Sequence, residues 1–99
     1  MTGDLTSLDL HHDPAAQRFS ARLEGHEAEL QYSLHGSRMV IEHTGVPDAI
    51  GGRGVAAALV KAALDQAREQ GWRVVPACSY SAAYVQRHPE YADLVDARS

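Results

Sequence analysis

Three glycines fall within the six residues Gly51-Gly52-Arg53-Gly54-Val55-Ala56. Missing side chains let a backbone approach a ligand closely, and a helix starting there leaves amide groups unpaired, with Arg53 as an added positive charge. That combination suits a phosphate or pyrophosphate. The same glycines also serve a tight strand-to-helix turn that binds nothing. Two phosphate motifs do not fit: there is no Gly-Lys-Ser/Thr ending of a P-loop, and the Gly-x-Gly-x-x-Gly order of a dinucleotide turn is not met.

Cys78 is the single cysteine and directly precedes a second helical stretch, where the positive end of a helix lowers a thiol's pKa. A small buried residue is its other reading. His43 follows Met39 and Ile41 at strand spacing, which places it on their face as a satisfied core histidine or a proton acceptor. Glu42 points to the opposite face. Tyr84 reads as an aromatic packed on a sheet. His11-His12-Asp13 has metal-ligand residue types, but adjacent side chains in a flexible arm seldom converge, so no metal is expected. Arg38 and Arg87 read as surface charges.

These residues need elements to hold them. Phe19, Ala21 and Leu23 alternate with Arg18, Ser20, Arg22 and Glu24, and Ala28, Leu30, Tyr32 and Leu34 alternate with Glu27, Glu29, Gln31 and Ser33. Each run is a half-buried strand, and the short breaks at Gly25 and Gly36-Ser37 make the neighbours antiparallel. From Arg38 to Val46 apolar residues occur at both parities, which predicts a central strand covered on both sides. A helix is expected from Arg53 to Gln70, with Ala56, Leu59, Val60, Ala63 and Ala67 on one face and Gly71 as its stop. The strand Trp72 to Cys78 follows directly, so a strand, crossover helix and parallel strand are implied. Pro76 cannot donate to a ladder, so that strand lacks a partner on one side and a gap opens in the sheet. A shorter helix, capped by Ser79 or Ser81, ends at His88 before Pro89. Residues 1–16 read as a flexible arm, with a short strand within it as the alternative, and a single domain covers 17–99.

The order of these features resembles the GNAT superfamily of N-acetyltransferases, whose acetyl-CoA turn is Gln/Arg-x-x-Gly-x-Gly/Ala. Gly54 and Ala56 occupy its fourth and sixth positions, and Gly51 stands at the first, where the superfamily prefers Gln or Arg. Glu42-His43-Thr44-Gly45-Val46-Pro47, Pro76-x-Cys78 and Tyr84-Val85-Gln86-Arg87-His88-Pro89-Glu90-Tyr91 are similar to a minimal single-domain subfamily. The resemblance implies an α/β (α+β) fold: an antiparallel meander, a β-α-β crossover with two splayed parallel strands, and a short C-terminal helix. It implies acetyl-CoA as cosubstrate, its pantetheine arm paired with Thr44, Gly45 and Val46 and its pyrophosphate held by Gly51, Gly52, Arg53, Gly54, Val55 and Ala56. Cys78 then lies near the acetyl group, and Tyr84 stands where many such enzymes place a tyrosine that protonates the departing thiolate.

Composition narrows the function further. Ninety-nine residues make one domain, and a net charge of -4, from nine basic and thirteen acidic residues, argues against nucleic acid as partner. With no apolar run long enough to span a bilayer and no leader-like N-terminus, no membrane partner is expected, and the location expected is cytoplasmic. The function expected is acetyl transfer from acetyl-CoA to an amine, by direct attack with His43 as base and Cys78 lining the pocket or relaying the acetyl group. The alternatives are a non-catalytic CoA-binding module and, more remotely, a thiol hydrolase using Cys78 with His88 or His43.

Overall fold

Alternating sequence becomes alternating burial in the computed structural model, which describes residues 8–96. Five strands and two helices run in the order β1 (Asp9–Asp13), β2 (Arg18–Leu23), β3 (His26–His35), β4 (Arg38–Gly45), α1 (Val55–Gln70), β5 (Arg73–Pro76) and α2 (Ser79–Arg87). Short 3-10 helices occupy Asp48–Ile50 and Pro89–Leu94. Sheet order equals chain order; β1 to β4 are antiparallel neighbours, and β5 joins β4 in parallel after the α1 crossover. The expected meander and β-α-β unit are therefore present.

The inner face of the sheet carries Phe19, Ala21, Leu23, Ala28, Leu30, Tyr32, Met39 and Ile41, all buried. Against it α1 lays Val55, Leu59, Val60, Ala63, Leu64 and Ala67. Burying each Leu or Val there stabilises the fold by roughly 1.5–3 kcal/mol. Gly71 ends α1 in a left-handed conformation, its N–H donating to the carbonyls of Ala67 and Arg68. The helix begins two residues later than expected, because Gly54 has a left-handed φ of 83° that a right-handed helix cannot contain. Pro89–Leu94 docks onto α1 through Tyr91, whose hydroxyl donates to Asp65 at 2.6 Å, and through Arg68, bidentate to Asp93 at 3.0 Å.

Two expectations are corrected. Part of the presumed arm is a strand: β1 pairs with β2 from Asp9↔Arg22 to Asp13↔Arg18, and His12 stacks on Phe19 at 4.1 Å while meeting the Tyr32 hydroxyl at 2.7 Å. Residues 1–7 of that arm lie outside the described residues. Strand geometry also sends His12 to the face opposite His11 and Asp13.

The second correction concerns β4, whose outer face carries no helix among the described residues. Arg18, Glu27, Glu29, Glu42 and His43 form an open polar surface there, with Val40 and Val75 paired side by side within it. Apolar residues at both parities came from that pair and from a β-bulge. Tyr32 pairs with Ile41 but Gln31 with His43, so Glu42 has no residue of its own opposite. One extra residue reverses the parity of the strand beyond it. Thr44, opposite buried Leu30, thus follows Met39 and Ile41 onto the inner face, and His43 is exposed on the outer one.

Candidate functional site

The site begins where two parallel strands part. Register pairing of β4 with β5 ends at Ile41↔Pro76, although β4 continues to Gly45. Pro76 cannot donate, but its N faces the outer edge of β5, as the Val74 carbonyl does in accepting from Asp96, while the next two amides, of Ala77 and Cys78, both donate to the Ile41 carbonyl at 3.0 and 3.1 Å. β5 stops there and the chain turns into α2. A gap is present, open along Glu42 to Gly45, but it follows from the turn of the chain into α2 and not from the missing Pro76 N–H, which is tolerated because β5 has no strand on its outer side among the described residues.

At the mouth of this cleft lies a cavity of about 200 Å³ lined by Val46, Gly51, Gly52, Gly54, Val55, Ala56 and Tyr80. Gly52 has φ +76°, and no atom stands within 4 Å of the position a Cβ would take. Gly54 is the N-cap of α1 and makes no side-chain cap hydrogen bond, so no cap side chain engages the first-turn amides beside the cavity. Unpaired amides, the positive end of a 16-residue helix and free approach to the backbone suit an anionic group. Arg53 does not simply add its charge to this turn. Its guanidinium forms a forked pair with Glu24 of the β2–β3 turn, at 3.2 and 2.9 Å, and holds that carboxyl below the usual range.

Cys78 stands at the apex. It is the N-cap of α2 in place of Ser79 or Ser81, since its sulfur accepts from the Ser81 N–H at 3.4 Å. The thiol also lies 3.1 Å from Ser81 Oγ and 3.6 Å from Thr44 Oγ1, which reaches across from β4. Burial acts to raise the thiol's pKa, but hydrogen bonds from Ser81, Thr44 and the Tyr80 amide outweigh it, and the net shift is downward. Ser81 is fully buried and its hydroxyl meets both the Cys78 carbonyl, at 3.0 Å, and the sulfur. It can accept from the neutral thiol, or turn and donate to the thiolate.

Thr44, Gly45, Val46, the Gly51 to Ala56 turn and Cys78 all border the cleft or its mouth. His43 does not join Cys78, because the bulge puts the two on opposite faces of the sheet. His88 is not with Cys78 either: its ring stacks on Tyr84 at 4.0 Å and pairs with Glu90 at 3.4 Å. Tyr84 is buried within the main core, where desolvation raises its pKa. As site residues Ser81, Tyr80 and Glu24 escaped the sequence reading, which has Ser81 only as a candidate helix cap and Glu24 only as a polar position of the alternation. A hydroxyl three residues after a helix cap is a usable signal for Ser81, whereas Glu24 meets Arg53 only through the folded chain.

A sequence model of the family described as GCN5-related N-acetyl-transferase matches residues 18–94. Protein NATD1 of Homo sapiens is 42% identical over 85 residues, covering 83% of this chain and 75% of that protein. Its Mus musculus counterpart is 43% identical over 85 residues, covering 83% of this chain and 77% of that protein. The solution structure of a GCN5-like protein from Staphylococcus aureus superposes with a TM-score of 0.71 at 27% identity, covering 92% of this chain and 90% of that one.

Proposed function

This chain belongs to the GCN5-related N-acetyltransferase family, and on that basis we propose that it transfers an acetyl group from acetyl-CoA to an amine. The observation that carries the proposal is the parting of β4 from β5 beyond Ile41 and Pro76, with a glycine turn and an uncapped helix start at its mouth. The residues fit the cosubstrate. Gly51, Gly52, Gly54, Val55 and Ala56 hold its pyrophosphate with main-chain amides, and Thr44, Gly45 and Val46 offer the unpaired edge of β4 to the amides of its pantetheine arm. Arg53, engaged with Glu24, contributes a balanced charge rather than a dedicated phosphate contact.

Acetyl-CoA supplies an acetyl group already activated as a thioester. The protein's part is to orient that carbonyl, polarise its oxygen with the main-chain N–H at Val46 and admit the amine. A lysine-like amine is mostly protonated at pH 7, so it must lose a proton to attack. His43, on the open face of β4, is positioned to take that proton from an acceptor arriving on the polar side of the sheet. Cys78 lines the acetyl end of the cleft, held there by Ser81 and Thr44, because direct attack needs only the one nucleophile that the amine provides.

Two measurements test this reading. Acetyl-CoA at about 100 times its dissociation constant adds roughly 2.7 kcal/mol of stability, a melting shift of about 10 °C or more in a domain of this size. No shift at millimolar acetyl-CoA would refute binding, whereas a shift without CoA release across a panel of amines would leave a binding module without turnover. Replacing Cys78 with alanine should lower CoA release several-fold at most. Loss of nearly all turnover, with an acetylated Cys78 in the unmutated protein that passes its group to amine at the turnover rate, would assign the thiol a covalent role.

A further inference from the structure

Tyr80 is the one large hydrophobic residue left exposed among those described, at 41% of its surface. Its helix gives no structural reason for it, because α2 buries Ser81 and Tyr84 and leaves Tyr80 off that side. Its position is nevertheless fixed. Tyr80 lies in the first turn of α2, two residues after the Cys78 cap at the apex of the cleft, and it lines the cavity at the glycine turn. Val46 closes the same cavity from the end of β4, and Val55 and Ala56 from the start of α1.

The lining combines two chemistries. Glycine backbone suits a phosphate, and Val46 and the Tyr80 ring suit an apolar, branched segment attached to it, while Val55 is buried in the core and adds only its main chain. In CoA the carbon that follows the pyrophosphate bears two methyl groups and then leads to the amides of the pantetheine arm. We infer that Tyr80 is a cosubstrate-binding residue whose ring packs on the pantetheine arm, so that α2 reads the arm and the glycine turn reads the phosphates. This rests on the acetyl-CoA reading and assigns a residue to it that no motif marks. Burying an exposed aromatic face against aliphatic carbon is favourable, and the phenol oxygen is not needed for it.

The test uses the full chain, titrated with acetyl-CoA and with S-acetyl-pantetheine, which lacks the nucleotide and pyrophosphate. Tyr80→Ala should weaken both about tenfold, a change of about 1.4 kcal/mol, while Tyr80→Phe stays within about threefold of the unmutated protein for both. Because Tyr80 is exposed, the melting temperature without ligand should change little. A readout that needs no variant is the Tyr80 ring resonance, which should shift when S-acetyl-pantetheine is added. Unchanged affinity in Tyr80→Ala, an unmoved ring resonance, or a loss confined to acetyl-CoA would each overturn the inference. If the unmutated protein binds neither compound, the acetyl-CoA reading itself fails and this assignment with it.

Discussion

Gly52 and Gly36 form a matched pair for separating backbone strain from ligand contact. Both have positive φ, +76° and +63°, and in both an added Cβ would meet no atom within 4 Å. Gly52 borders the cavity at the cleft, whereas Gly36 sits in the β3–β4 turn. An alanine at either site pays for a left-handed backbone, about 1–2 kcal/mol, partly offset by the lower entropy of its unfolded chain. The net loss is about 1 kcal/mol, or about 4–8 °C in melting temperature, for each variant alone. With acetyl-CoA at about 100 times the unmutated dissociation constant they should diverge. Gly36→Ala keeps the full gain of roughly 2.7 kcal/mol. Gly52→Ala puts a methyl group where the phosphate approaches; a tenfold weaker affinity removes about 1.4 kcal/mol, about half of the gain. Differential scanning fluorimetry across a titration reads both quantities. Equal ligand shifts in the two variants would refute the placement of the anion at the glycine turn.

Removing the Tyr91 hydroxyl in Tyr91→Phe breaks a bond to a partly exposed carboxylate, so chemical denaturation should show about 1–2 kcal/mol of lost stability; a change below about 0.3 kcal/mol would mean that the last segment docks by packing alone. Burial lowers the pKa of His12 from 6.5 although the neighbouring Asp13 acts to raise it, so the unfolded chain takes up that proton more readily. Its stability contribution is therefore present above about pH 6.5 and lost as pH falls through the lower folded value. Between pH 7.5 and 5.5 the unmutated protein should lose more stability than His12→Phe, and parallel losses in the two would remove His12 as the cause.

Local order decided what could be read before folding. Alternation in β2 and β3 and the apolar stripe of α1 with Gly71 behind it each act within a few residues. Strands and crossover helix were legible for that reason, as was the glycine turn that opens α1. Pro76 marked β5 as a strand with one open side, but that side is its outer edge, and the opening against β4 comes from the turn of the chain at Cys78. Tertiary structure decided where the side chains went. β1 has one aliphatic residue, too short a run to show a period, and becomes a strand because β2 offers it an edge and Tyr32 a partner for His12. A bulge adds one residue against β3 without altering composition, and that shift of register turns His43 outward and Thr44 inward toward Cys78. Arg53 meets Glu24 across 29 residues of chain, and Tyr80 meets Val46 and the glycine turn only because α1 and α2 pack on the same side of the sheet. Such contacts depend on relative positions of elements, which no single stretch of sequence encodes.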